Sequence, residues 1–250
     1  MSTFTKISVI FAILIMAFPT VGARNLKVMT YNVHNGVGLD KKRDHRRIGQ
    51  LISYQKPDFV AIQEVDSATN RSGNTYVLGE IASAAGMIPV YAPAIKFDGG
   101  LYGIGLLTRT APDSVSLIPL PGREESRMLL AAHFNDFIII GTHLSLTPDD
   151  ALASTDIIHD IINKAGSKSV ILMGDLNSLP DSPVIKALQR DFTIVSPVDT
   201  PTFPANRPTE RIDYVMISNG SPFVVTRTEI LDEDTASDHR PIAVQLTIND

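Results

Sequence analysis

One stretch constrains the fold more than any other. From Ser169 the chain runs Val170-Ile171-Leu172-Met173 without alternation and then passes into Gly174-Asp175-Leu176-Asn177. An unbroken apolar run of strand length belongs to a strand buried on both faces. Neighbouring side chains of a strand point to opposite sides, so Asp175 and Asn177 leave its C-terminal end on the same side. An acid and an amide projecting together from a rigid central strand suit a metal or phosphate site. Gly, Asp and Asn are also turn formers, and on this stretch alone a polar turn is the simpler reading.

The pattern recurs, which shifts the balance. Leu26–Asn32 reads as a strand ending in Asn32, and Phe59–Glu64 as a strand ending in an acid. Phe137–Gly141 leads into Thr142-His143. Between them, Asp44 caps a helix carrying Ile48, Leu51 and Ile52 at helical spacing, with Pro57 just past its end. Tyr76–Ala85 predicts a short helix, Ile88–Ala92 a short strand, Gly99-Gly100 a turn and Ile104–Thr108 a strand. Ser114–Ile118, Met128–Phe134 and Phe137–Gly141 predict an antiparallel run, with Asn135-Asp136 as a hairpin turn. Thr147-Pro148-Asp149-Asp150 opens a helix with Ile158, Ile161 and Ile162 on its buried stripe, and Gly166 closes it. Pro180–Leu188 predicts a short helix and Asp191–Asn206 a loop. Ile212–Ile217, Phe223–Ile230 and Pro241–Ile248 are closing strands. With no internal repeat and no linker, a single α/β domain is the economical organisation.

The first residues stand apart. Lys6 precedes the apolar stretch Ile7–Phe18, and Pro19-Thr20-Val21-Gly22-Ala23 ends in small residues. This is the layout of a secretory signal peptide, too short to span a bilayer, where about 20 residues are needed. Residues 1–23 are therefore expected to be a signal peptide cleaved near Ala23, with 24–250 as the mature domain, secreted or periplasmic. The chain has no cysteine, so an exported form has no disulfides and no thiolate zinc site. Net charge is −5 with Lys6 counted and −6 without it, which lacks the broad positive field of non-specific nucleic-acid binders. Lys41, Lys42, Arg43, Arg46 and Arg47 are the one basic run, and such runs are usually solvated faces.

Polar residues thus gather at strand ends and loop–strand junctions: Asn32, Glu64, His143, Asp175, Asn177, Asp213, Asp238 and His239. Each alone has a simpler structural reading as turn, cap or core residue. All eight at such positions by chance is much less plausible. Four carboxylates at one locus would repel one another without a cation, so a divalent metal is expected.

In this setting Thr30-Tyr31-Asn32, Ile62-Gln63-Glu64-Val65, Gly103–Arg109, Gly141-Thr142-His143-Leu144, Gly174-Asp175-Leu176-Asn177, Arg211-Ile212-Asp213-Tyr214 and Ser237-Asp238-His239-Arg240-Pro241 resemble, in order, the motifs of the endonuclease/exonuclease/phosphatase superfamily, while Tyr31–Gly38 and Gly99–Gly103 resemble a bacterial exported subgroup of it. The resemblance implies a DNase I-like four-layer α/β/β/α sandwich, two mixed β-sheets packed face to face with helices outside. It implies Glu64 as the main ligand of Mg²⁺ or Mn²⁺, with Asn32 and Asp238 beside it completing the metal site or holding its waters. It also implies Asp175 and Asn177 as the pair that orients water and grips a phosphate oxygen. His239 matches the essential His beside the phosphate, Asp213 its carboxylate partner, and His143 the second His of nuclease-like members. Tyr102 lies one residue off the phosphate-side Tyr of abasic-site endonucleases. Arg127 and His34 are further phosphate candidates; their alternatives are a salt bridge with Glu124 or Glu125 for Arg127 and a plain loop residue for His34. The expected activity is metal-assisted hydrolysis of a phosphodiester, a lipid headgroup or small compound, by a monomeric enzyme. A secreted endo- or exonuclease acting on DNA or RNA is the alternative.

Overall fold

The computed structural model describes residues 24–248. The expected signal peptide and its cleavage point lie outside the described residues. Within them are twelve strands: β1 Arg24–Asn32, β2 Phe59–Ser67, β3 Ile88–Phe97, β4 Gly100–Thr108, β5 Ser114–Leu120, β6 Arg127–His133, β7 Phe137–His143, β8 Ser169–Asp175, β9 Phe192–Ile194, β10 Asp213–Ser218, β11 Phe223–Ile230 and β12 Ile242–Ile248. Four α-helices join them: α1 His45–Gln55, α2 Val77–Ala85, α3 Pro148–Lys164 and α4 Pro183–Leu188.

The strands form two six-stranded sheets, ordered β11-β12-β1-β2-β4-β3 and β5-β6-β7-β8-β10-β9. Each has one parallel pair at its centre, β1–β2 in the first and β7–β8 in the second, with antiparallel strands outward. A parallel pair needs a crossover, and α1 and α3 supply it. The expected sandwich of two mixed sheets is what the chain builds.

Strand alternation divides the core into three layers. Val28, Ala61, Ile139, Ile171, Met173, Val215 and Val244 meet between the sheets. Their neighbours Met29, Tyr31, Val60 and Ile62 turn outward onto Ile48, Ile52, Leu78 and Ile81 of α1 and α2. On the other side Ile138, Ile140, Val170 and Leu172 meet Ile158 of α3 and Ile185 of α4. Because the central strands are covered on both faces, they carry the unbroken apolar runs seen in the sequence.

Local signals explain most element boundaries. Asp44 accepts a hydrogen bond from the Arg47 backbone N–H and starts α1, and Lys56 ends it in a left-handed conformation before Pro57. Pro148 opens α3, but Thr147 does not cap it; its hydroxyl donates to Glu124 at 2.9 Å instead. Several elements depart from expectation, among them β4, which starts at Gly100 rather than Ile104. β3 continues beyond Ala92 to Phe97, because Pro93 sits on an edge strand at a register shift, where a missing N–H is tolerated. The segment read as loop after Asp191 contributes β9, a three-residue edge strand on β10. Helix α4 begins at Pro183 rather than Pro180, since Ser182 provides the cap by accepting from Ile185 N–H.

Gly174 is needed where β8 passes between β7 and β10: a Cβ there would lie 2.1 Å from the Thr142 carbonyl oxygen. Gly174→Ala must push β8 away from β7, at a cost of about 1–3 kcal/mol by the usual scale of overpacking. Urea unfolding checks this, with a lowered midpoint and an unchanged slope as the expected result.

Candidate active site at the edge where the sheets meet

Strand direction brings the polar residues to one edge. β1, β2, β7 and β8 run toward it and end in or near Asn32, Glu64, His143 and Asp175. β10 and β12 run antiparallel to their neighbours and begin there, so Asp213 pairs in register with Asp175, and Asp238-His239 sit just before β12. The first sheet and the loop into it thus provide Asn32, Glu64, Asp238 and His239, and the second His143, Asp175 and Asp213.

Glu64 lies in a bulge: the β2–β4 register shifts between Ile62 and Val65, and Glu64 adopts φ +60°. Bulges re-aim side chains, and a left-handed non-glycine residue persists only where its surroundings enforce it. Here the bulge leaves a partly exposed carboxylate within reach of Asn32. The fully buried Asn32 amide donates to Glu64 at 2.9 Å and to Asp175 at 3.0 Å. Its oxygen accepts the His34 backbone N–H at 3.1 Å. One amide therefore ties a carboxylate of the first sheet to one of the second.

Asp175 is the node of the network. Its Oδ1 accepts the Asn177 backbone N–H at 2.9 Å, and its Oδ2 lies 3.5 Å from His143 Nε2 and 3.7 Å from His239 Nε2. Burial, and next the negative charge of Asp213, push its pKa up to about 7, against the pull of His239, Asn177 and Asn32. His239 Nδ1 stands 3.0 Å from Asp213 Oδ2. Burial disfavours its charge, but the Asp213 and Asp175 carboxylates and the hydrogen bond to Asp213 outweigh that, raising its pKa to about 10. His143 goes the opposite way: burial, then the positive charges of Arg127 and His239, hold it well below the usual histidine range. The two histidines flanking Asp175 are thus a cation and a neutral imidazole.

The remaining expected residues fall as follows. Asn177 orients toward the protein, donating from Nδ2 to the Leu144 carbonyl at 2.9 Å, while its φ of +46° marks a strained turn. Asp238 is partly exposed and stands 3.9 Å from His34 Nδ1; the ring nitrogen itself is 3.1 Å from the Val37 carbonyl. Arg127 is buried between Glu124 at 3.4 Å and Glu125 at 3.3 Å, so the salt-bridge alternative describes it. It nevertheless lines a small cleft with Tyr102 and His143. Burial, followed by Glu64 and Glu125, drives the Tyr102 pKa upward, so its hydroxyl stays protonated and able to donate.

Further contacts shape the site, and the roles of Thr202 and Phe203 have no signal in the sequence. The Thr202 hydroxyl donates at 2.5 Å to Asp213 Oδ2, the same oxygen that faces His239. The Phe203 ring lies over the His239 imidazole, with centroids 4.7 Å apart. Ser237 donates at 2.7 Å to the Asn32 carbonyl and so pins the His239 loop to β1. Glu124 gathers Ser145 Oγ, Leu146 N–H and Thr147 Oγ1. Burial works to raise its pKa, but those hydrogen bonds prevail and hold it at about 2. Thr202 and Phe203 sit in a loop with no strand or helix pattern, where nothing in the sequence ties them to a distant partner.

The profile of the Endonuclease/Exonuclease/phosphatase family matches residues 29–239, spanning every residue of this network. The chain belongs to that family. No curated protein matches it significantly by sequence. Among solved structures, an endonuclease/exonuclease/phosphatase family protein from Bacteroides thetaiotaomicron superposes with a TM-score of 0.74 at 20% identity, over 91% of this chain and 96% of that one. A mannosyl-6-phosphatase from the same organism gives 0.70 at 20% identity, over 88% and 99%. A 2′,3′-cyclic phosphatase gives 0.72 at 14% identity, over 91% and 96%. The family's members are hydrolases acting on phosphoester bonds, so this chain is a phosphoester hydrolase, with the DNase I-like sandwich as its fold. Divalent-metal dependence is typical of the family.

Two places offer donors for such a metal. Asp175, Asp213 and His239 present atoms within 4.8 Å of one another. A hard cation prefers oxygen ligands, and a histidine that is protonated and bonded to Asp213 has no lone pair to give on that side. The partly exposed Glu64 carboxylate, held by the Asn32 amide, fits the group better.

The His239 proton is held more tightly in the folded than in the unfolded chain. The His239–Asp213 pair therefore stabilises fully below about pH 6.5, the ordinary histidine value, and its contribution is lost as pH rises through about 10. Imidazole NMR is expected to show His239 cationic throughout the neutral range, and Asp213→Asn to bring its titration down to or below the ordinary value. A neutral His239 at pH 7 in the unsubstituted protein would contradict this.

Proposed function

We propose that the chain is an exported, Mg²⁺- or Mn²⁺-dependent phosphodiesterase acting on a lipid headgroup or another small phosphodiester. The observation that carries the reading is the Glu64–Asn32–Asp175–His239–Asp213 network along one edge, which supports Glu64 as the metal-side carboxylate, Asp175 as the base and His239 as the cationic donor. Glu64 would hold the divalent ion, which when bound would supply charge neutralisation at the phosphoryl group. Asp175, with a pKa near neutrality, takes the proton of the attacking water. His239 stays cationic through the Asp213 and Asp175 carboxylates and donates from Nε2 to the phosphoryl oxygens as negative charge builds on them. His143, neutral and buried, donates or accepts one hydrogen bond without adding charge. The Tyr102 hydroxyl, in the same cleft as His143, donates a further hydrogen bond.

Three points favour a small substrate over DNA or RNA. The chain is net acidic. Arg127, which lines the cleft with His143, is engaged by two glutamates. Solved relatives include proteins named for a mannosyl 6-phosphate and a 2′,3′-cyclic phosphate. Export rests on the Lys6, Ile7–Phe18 and Ala23 layout. Among the described residues no helix is long and apolar enough to cross a membrane.

The test is a panel of bis-p-nitrophenyl phosphate, sphingomyelin, phosphatidylinositol and supercoiled plasmid, each with Mg²⁺ or Mn²⁺. Hydrolysis of at least one small or lipid diester is expected, abolished by chelation and reduced about 10²–10⁴-fold in His239→Ala. Plasmid nicking that disappears in His239→Ala, with every small or lipid diester left intact, would instead establish the nuclease.

A further inference from the structure

Arg71 stands beside this site and is used by none of the chemistry above. It lies in the loop after β2, and its Nε and Nη2 donate to both oxygens of the fully buried Asp66, at 2.7 and 2.8 Å. Its backbone N–H donates to Asp98 at 2.6 Å. The guanidinium lies over the rings of Phe97, at 4.4 Å, and Tyr102, at 5.3 Å. The side chain is nevertheless 32% exposed. Asp66 follows Glu64 by two residues and pairs in register with Tyr102, so this assembly sits along the same strand ends as the metal-side carboxylate.

A structural tie would account for the Asp66 bond, but not for what is left over. An arginine has five N–H groups in a fixed plane. Asp66 takes two, and among the described residues nothing accepts from Nη1 or from the second Nη2 hydrogen. The open edge is that of a guanidinium already immobilised by an ion pair and two aromatic rings. Such a group binds a planar or tetrahedral oxyanion in two-point fashion, with little side-chain entropy left to lose. Asp66 also cancels its charge, so it favours an anion with matching acceptors over polyanions in general.

We infer that Arg71, stacked on Phe97 and Tyr102 beside Glu64, is an oxyanion subsite that holds a second anionic group of the substrate, a phosphate or a carboxylate, away from the scissile phosphate. The inference rests on the reading of the edge as a phosphoester-hydrolysing site and narrows its substrate to compounds with two anionic groups.

Calorimetry tests this without turnover, in the His239→Ala protein with Mg²⁺, using three ligands of one scaffold: glucose 1-phosphate, glucose 1,6-bisphosphate and glucuronic acid 1-phosphate. At least one of the two doubly anionic ligands is expected to bind tenfold or more tighter than glucose 1-phosphate. Which of them gains tells phosphate from carboxylate. Adding Arg71→Lys, which keeps an ion pair to Asp66 but loses the fork, is expected to erase that advantage and leave glucose 1-phosphate unchanged. Equal affinity for all three ligands would overturn the subsite. So would an Arg71→Lys effect that weakens all three alike and lowers the thermal midpoint, since that is the signature of a purely structural tie. Failure of the unsubstituted protein to hydrolyse bis-p-nitrophenyl phosphate would count against the phosphodiesterase reading, whereas the affinity differences at Arg71 decide the subsite independently of turnover.

Discussion

The hydrogen bonds of one buried amide hold the functional edge together. Asn32 extends from the end of β1 in the first sheet and donates both to Glu64, in the same sheet, and to Asp175, in the second. Two carboxylates that would repel each other are thereby kept at a fixed separation by a shared neutral donor. The sandwich core makes this span reproducible: Val28 and Met173, a few residues back along β1 and β8, lie in the same inter-sheet layer. Protein interiors pack densely and resist sliding, so the positions of strand ends inherit the rigidity of the core behind them. A second link, His239 to Asp213, crosses from the loop before β12 to β10 and closes the edge from the other side.

Charge is organised by contrast. Asp175 sits between an imidazole kept neutral by burial and one kept cationic by two carboxylates. The difference arises from partners: Asp213 and Thr202 serve His239, whereas His143 faces Arg127. Two titratable groups pushed apart by their surroundings are the usual way a single pocket carries both an acid and a base at neutral pH. Arg71 and Arg127 show the same economy. Each is already neutralised by carboxylates of the protein, so the edge holds cations without acquiring a general attraction for polyanions.

Much of this was legible in the chain. The unbroken run Val170–Met173 predicts a strand covered on both faces, and the sheets cover it. Asn32, Glu64, His143, Asp175, Asp213 and His239 are visible as polar residues at strand ends, and strand polarity alone brings them to one edge. Other features could not be read. Nothing in Gln63-Glu64-Val65 announces a bulge with φ +60°, because that conformation is imposed by pairing with β4. Thr202 and Phe203 lie in a loop whose value depends on meeting Asp213 and His239, a long-range relation with no local periodicity. Arg127 reads from sequence as either a phosphate ligand or half of a salt bridge, and only the fold shows two glutamates around it.

The proposal puts the metal at Glu64 and leaves the phosphate to the Asp175–Asp213–His239 cluster. Mn²⁺ binding followed by electron paramagnetic resonance separates these directly. The account predicts that Glu64→Gln weakens Mn²⁺ binding by at least tenfold, while His239→Ala leaves it nearly unchanged. Retention of Mn²⁺ in Glu64→Gln with loss in His239→Ala would place the metal in the buried cluster and contradict the account.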